Sequence, residues 1–225
     1  MAKPLTLEEI SARLKAAGPV GASPARLLAV SKTQSVDAIR ALAAQGQRHF
    51  GENYVQEALA KIESLGPLDL VWHLIGPLQS NKCREVATHF DWLESLDRPK
   101  LVALLARLRP PQRAPLNVLV QVNIDDEHSK SGCAPDQVLP LCAQVAAASG
   151  LLLRGLMAIP APVPDMALRR AAFRRMRALF DTVRTQYASV DTLSMGMSDD
   201  YELAASEGAT EVRIGSAMFG PRSTT

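Results

Sequence analysis

Aromatic side chains are scarce in this sequence, with Phe, Tyr and Trp making up 4% of its 225 residues. A core of stacked rings is thereby excluded, and the 47% of hydrophobic residues must pack as an aliphatic core of Leu, Val, Ile, Ala and Met. Charge of one sign is lacking too: 25 basic against 23 acidic residues leave a formal net charge of +2. That balance gives no long-range pull toward nucleic acid or an acidic membrane surface, and no arginine-rich stripe with interleaved aromatics appears. Cysteine is sparse. Cys83, Cys133 and Cys142 are odd in number and form no C-x-x-C pair, which argues against a disulfide framework or a zinc site and for reduced thiols. No apolar run approaches the roughly 18 residues that span a bilayer. The N-terminal stretch through Gly18 is amphipathic and charged throughout, without the apolar segment of a signal peptide. The expected protein is soluble and cytoplasmic.

What is present is an alternation. Short apolar runs of β type take turns with longer segments of helical period, the pattern of parallel βα units. The expected strands are Arg26–Lys32, His49–Gly51, Leu70–Ile75, Trp92–Ser95, Leu116–Asn123, Leu152–Met157, Thr192–Met195 and Glu211–Gly215. A helical segment follows each of the first seven; the first runs from Ser35, a good N-cap residue, to Gln45. Proline clusters, Pro110-Pro111 and Pro160 to Pro164, fall in connections. Eight such units favour a closed α/β barrel over an open doubly wound sheet. The fold expected is one (β/α)8 TIM barrel over residues 1–225, with an additional N-terminal helix over Pro4 to Gly18 closing the barrel's bottom.

In such a barrel the chemistry sits at the C-terminal ends of the strands and in the loops after them. Lys32 ends the first run, on the same face as Leu28 and Val30 by strand alternation. Facing inward, its ammonium would lose solvent and its pKa would fall, and a neutral amine is what attacks an aldehyde to form a Schiff base. A lysine that simply reaches water at a strand end fits the same position. Strands seven and eight tilt the balance. Leu193-Ser-Met-Gly-Met-Ser198 and Val212-Arg-Ile-Gly-Ser216 place glycines and hydroxyls in two adjacent loops, the usual phosphate site of this architecture. Arg213 would face the same way as Lys32, or would bridge carboxylates within the barrel. An amine and a phosphate cup at one mouth suggest an aldehyde that carries a phosphate.

At these residues the sequence resembles a known family. Ala29-Val-Ser-Lys-Thr33, Phe50-Gly-Glu-Asn-Tyr-Val-Gln-Glu57, Trp72-His-Leu-Ile-Gly76 with Leu78-Gln-Ser-Asn-Lys82, and Gln121-Val-Asn123 with Lys130-Ser-Gly132 are similar to motifs of the pyridoxal phosphate homeostasis proteins. Gly155-Leu-Met157, Leu193 to Ser198, and Val212 to Gly215 with Phe219-Gly220 extend the resemblance over nearly the whole chain in order. It implies a barrel like the N-terminal domain of alanine racemase, with pyridoxal 5'-phosphate bound covalently at Lys32. It also implies a phosphate near Ser198, Gly215 and Ser216, and Arg213 near the pyridine nitrogen or the phosphate. The function implied is buffering or delivery of the cofactor, with effects on amino-acid and keto-acid balance and no strong catalysis.

Two further points agree with that expectation. The sequence ends at Thr225, so the second domain through which racemases of this fold supply another proton-transfer residue is expected to be missing. An arginine beside the ring nitrogen disfavours its protonation, and an unprotonated ring is a poorer electron sink. Asn53 is expected as a polar contact at the mouth, His73 as a cofactor contact or a core histidine with its own partners, and Met195 and Met197 as soft packing around a ring rather than metal ligands. Glu52 can pair with a loop lysine instead of acting in chemistry, and Lys130 stands in a loop suited to a second amine or an anion anchor, or is simply solvated. The arginine-rich helix 166–187 reads as an outer helix with a solvated basic face. No metal ligand set is expected. Apo enzymes that use the cofactor are the expected partners, and the chain itself a monomer or weak homodimer. The runner-up function is a pyridoxal-phosphate-dependent racemase or related amino-acid enzyme, and a third is a Schiff-base aldolase without cofactor.

Overall fold

Eight short strands pair in parallel, in chain order, and the last returns to the first to close a barrel. The computed structural model describes residues 4–125, 131–161 and 163–220. The chain enters through helix α1 (Leu7–Ala17), then β1 (Arg26–Val30), α2 (Val36–Ala44), β2 (His49–Glu52) and α3 (Val55–Leu65). Next come β3 (Val71–Leu74), α4 (Cys83–His89), β4 (Trp92–Leu96), α5 (Pro99–Leu108), β5 (Leu116–Val122) and α6 (Val138–Ala147). The circuit ends with β6 (Leu151–Ala158), α7 (Met166–Gln186), β7 (Thr192–Ser194), α8 (Tyr201–Ser206), β8 (Glu211–Ile214) and a short α9 (Ser216–Phe219). No described helix is long and apolar enough to cross a membrane.

Local chemistry explains the helix starts. Ser35 accepts the Ala38 N–H at 3.2 Å and opens α2, as the sequence led us to expect. Thr6 and Glu9 exchange hydrogen bonds in a capping box that opens α1, which satisfies two donors that a bare helix end leaves unpaired. Asp165 caps the long α7 by accepting from Ala167 and Leu168. One expectation needs correction: α1 does not close the bottom. Its entry is tied near α9, where the Leu5 N–H donates to the Ala217 carbonyl at 2.7 Å. It then lies along α8 on the outside, with Arg13 facing Glu202 at 3.4 Å. The amphipathic stripe explains this, because Ile10 and Leu14 are buried while the rest of the helix is largely exposed.

The main apolar core fills the space between sheet and helices, with Ile39, Phe50, Leu93, Val118, Leu156, Phe173 and Phe180 fully or almost fully buried. Each such side chain contributes about 1.5–3 kcal/mol by leaving water. Inside the barrel the apolar filling is small: Trp92, Leu119 and Met157 form a cluster of their own with Val71 against it. The remaining inward positions are mostly polar, and that sets the character of the site.

Candidate functional site

The strands end in a cavity of about 520 Å³ at the barrel's mouth. Its lining includes Lys32, Asn53, Gln121, Ser198, Arg213, Gly215 and Ser216, so six of the eight residues expected at the site come together there. Lys32 is partly buried, but β1 stops at Val30, and Ser31 to Thr33 make a turn instead of extending the strand. Thr33 holds a left-handed φ of +65°, unusual for a β-branched residue. Ser31 N still donates to the Gly51 carbonyl across the sheet, at 3.0 Å.

The cup opposite is built from the two loops that the sequence singled out. Gly196, at φ +92°, lets the chain turn where a Cβ would come within 2.4 Å of Ala204. Gly215 passes close to β1, where a Cβ would meet the Val30 carbonyl at 3.2 Å. Ser198 Oγ accepts the Ala217 N–H at 3.4 Å, and Ser216 stands exposed at the rim. Glycine backbone, two hydroxyls and the first turn of α9 thus converge on one side of the cavity, a donor set suited to a phosphate. Arg213 rises from the barrel floor, 3% exposed. Its Nη1 donates to Ser194 Oγ at 2.8 Å and its Nη2 to the Ala158 carbonyl at 2.8 Å.

His73 and Met195 lie elsewhere. Met195 is fully buried in the main core, and Met197, two residues on, lines the cavity instead. His73 points into the barrel but one layer below, outside the cavity lining. Its ring stacks on Trp92 with centroids 5.1 Å apart. Its Nδ1 meets Glu94 Oε1 at 2.7 Å and its Nε2 meets His49 Nδ1 at 2.9 Å. Both ring nitrogens are therefore used, and burial pushes its pKa down to about 3, so it is neutral. Glu52 is fully buried and turned away from the cavity toward Lys61 of α3, at 2.8 Å. Lys130 lies outside the described residues.

Sequence reading allowed for a core His73 with its own partners and for Arg213 bridging carboxylates, but it did not name Glu94, Ser194, His49 or Glu211 as the polar floor beneath the cavity. Ser194 Oγ donates to Glu94 Oε2 at 2.7 Å, linking Arg213 to Glu94 and through it to His73 and His49. Glu211 accepts from Arg26 Nε at 2.8 Å, while its Oε1 has no partner among the described residues. Burial raises the pKa of both carboxyls, and proximity to Glu94 raises Glu211 further. One proton kept on this pair accounts for both facts, since like charges this close do not both ionise readily. The ligand atoms of His73, Glu94 and Glu211 lie within 4.8 Å of one another. With Arg26 on one carboxylate and Arg213 reaching the other through Ser194, positive charge is already supplied and the trio is an internally paired network. The sequence signals for it were His73 inside an apolar run and charged residues at one parity in β1, β4 and β8.

The alanine racemase N-terminal domain model matches residues 5–223. A pyridoxal phosphate homeostasis protein of Pseudomonas aeruginosa is 51% identical over 219 residues, covering 96% of this chain and 94% of that protein. One from Escherichia coli K12 is 50% identical over 212 residues, covering 92% and 91%. Among solved structures, PipY of Synechococcus elongatus with PLP bound superposes with a TM-score of 0.80 at 38% identity, covering 94% of this chain and 100% of PipY.

Proposed function

The chain belongs to the pyridoxal phosphate homeostasis protein family, on the barrel of the alanine racemase N-terminal domain, and from that premise we propose how its mouth holds the cofactor. Its function is binding of pyridoxal phosphate in the service of cofactor homeostasis. The covalent anchor is Lys32, the phosphate lies in the cup of Ser198, Gly215 and Ser216, and Arg213 and Asn53 contact the ring or its substituents. The observation that carries this reading is the single cavity lined by an amine, a buried guanidinium and a glycine–hydroxyl cup. The residues fit the group in both charge and chemistry. When bound, pyridoxal phosphate supplies an aldehyde and an electron-poor ring.

The chain's own residues favour keeping the cofactor over using it. Arg213 is fixed by Ser194 and the Ala158 carbonyl, and a guanidinium held beside the ring nitrogen, as this reading has it, would disfavour a proton there. His73 is bonded at both nitrogens on the floor and has no free position from which to move a proton at the mouth. The protein is proposed to lack strong catalysis, to work in the cytoplasm as a monomer or weak homodimer, and to release its cofactor to apo enzymes.

Absorbance of the purified protein tests this. Added pyridoxal phosphate should produce a band near about 420 nm, a property of its imine that the site only tunes, and Lys32→Ala should abolish it. A wild-type protein without the band, or a Lys32→Ala variant that keeps it, overturns the assignment of Lys32. Turnover of D- or L-amino acids above roughly 1 per second overturns the non-catalytic reading.

A further inference from the structure

Lys32 stands between two residues that are tied down from behind. Ser31 Oγ donates to Glu52 Oε1 at 2.6 Å, and the Ser31 carbonyl accepts from Lys61 Nζ at 2.7 Å. On the other side, the Thr33 N–H donates to Glu57 Oε1 at 2.5 Å. Lys61 joins the two halves, donating to Glu52 Oε1 at 2.8 Å and to Glu57 Oε1 at 2.7 Å. Lys61 is 5% exposed and Glu52 not at all. Neither they nor Glu57 line the cavity, so this group of charges cannot serve a ligand directly. A lysine is rarely buried unless something requires its charge there. The left-handed Thr33, at φ +65°, is a strained geometry that persists only where its surroundings hold it.

We propose that Lys61, Glu52 and Glu57 form a clamp that positions Lys32, fixing the backbone on both sides of it so that its amine is presented to the cavity at a set reach from the cup. The proposal rests on the reading of Lys32 as the anchoring amine. In the step it serves, the neutral Lys32 amine adds to the aldehyde carbon, a C–N bond forms, and the carbonyl oxygen leaves as water as the C=N bond closes. Nothing is oxidised or reduced, and the clamp exchanges no proton or electron with the reactants. The clamp removes the search over backbone conformations that a loose turn would impose before each attack. Lys61 and Glu57 are positioning residues, one helical turn apart on α3, and Glu52 reaches the same point from β2.

The test separates placing the amine from building the cup. Glu57 is only partly buried, its side chain 26% exposed, so Glu57→Leu removes the Thr33 acceptor without opening the core. In that variant the band near 420 nm should appear about tenfold or more slowly, because small misplacements of a reacting group carry penalties of that order. Glu57→Gln keeps an acceptor oxygen and should restore most of the rate. Pyridoxine 5'-phosphate, which has an alcohol in place of the aldehyde, should bind wild type and Glu57→Leu alike. Deuterium exchange at the Thr33 amide should rise in Glu57→Leu and stay slow in Glu57→Gln. Lys61→Met combined with Glu52→Gln tests the ammonium without orphaning a buried carboxylate. It too should slow the band and spare the analogue.

Unchanged band kinetics in these variants overturn the clamp, and so does a parallel loss of analogue binding, which marks general damage. A wild-type protein without the band removes the assignment of Lys32 instead. Exchange at Thr33 then decides alone whether the turn is held as described, and fast exchange in wild type overturns the clamp.

Discussion

The mouth and the floor of this barrel are lined by the same strands, yet they treat polar groups in opposite ways. On the floor, His49, His73, Glu94, Ser194 and Arg213 bond to one another in a closed series, with Trp92 stacked against His73. At the mouth, Ser198, Ser216, Arg213 and Lys32 border a cavity of about 520 Å³. A polar group sealed from water must find its partner within the protein, because leaving it unpaired costs about 1–3 kcal/mol and more if it is charged. A polar group on a cavity can be solvated until a ligand replaces the water. The floor is therefore structural and the mouth is receptive, and Arg213 is the residue that belongs to both.

Substitutions on the two levels sharpen or break that division. The largest effect is expected on the floor. Glu94→Leu leaves Ser194 and His73 without their shared acceptor and the buried Arg213 without a nearby carboxyl, and should destabilise the protein by about 3–5 kcal/mol in denaturant unfolding, the range for a broken buried pair. A loss under about 1 kcal/mol, no more than an average substitution costs, would mean that the floor is not the closed network described.

Next is the pH response of His73. Its pKa is near 3 in the folded protein and 6.5 in the unfolded chain. The unfolded state therefore takes up a proton below pH 6.5 that the folded state refuses, and this contribution to stability is lost as pH falls from 6.5 toward 3. The stability advantage of wild type over His73→Gln should shrink by about 2 kcal/mol between pH 7 and pH 5. The carboxyls Glu94 and Glu211, raised by burial, work with the opposite sign, so the comparison must be made against the variant. A pH-independent gap would sink the neutral assignment.

The smallest effect belongs to the mouth. Ser198→Ala should move stability by less than about 0.5 kcal/mol, as a surface change does. It should weaken pyridoxal phosphate binding by about 0.5–1.5 kcal/mol, the net worth of one hydrogen bond. If it cost stability on the scale of Glu94→Leu, mouth and floor would be one structural unit.

Much of this was legible in the chain before it folded. Eight apolar runs spaced by helical segments specify a closed βα barrel, since each strand needs a partner and each helix a face to cover. That barrel rule, applied to strand ends, brought Lys32, Asn53, Ser198, Arg213, Gly215 and Ser216 to one place. Parity along a strand was a weaker guide. In β4 the pairing with β5 shifts between Leu93 and Leu96, so Leu96 joins the outer core while alternation alone would set it beside Trp92 and Glu94. Met195 illustrates the same limit, for one residue past the end of β7 decides between core and cavity.

What the sequence determined by itself is what depends on neighbours along the chain: the barrel's units, its aliphatic core, the helix caps and the amine in the turn just past the first strand. Only the tertiary structure decided that His73 answers to Glu94 and His49, that α1 lies beside α8, and that Lys61 reaches back to hold Ser31, 30 residues away. These contacts join elements whose mutual register follows from strand stagger, bulges and barrel closure together. No local propensity encodes that geometry, which is settled only when the whole sheet has closed.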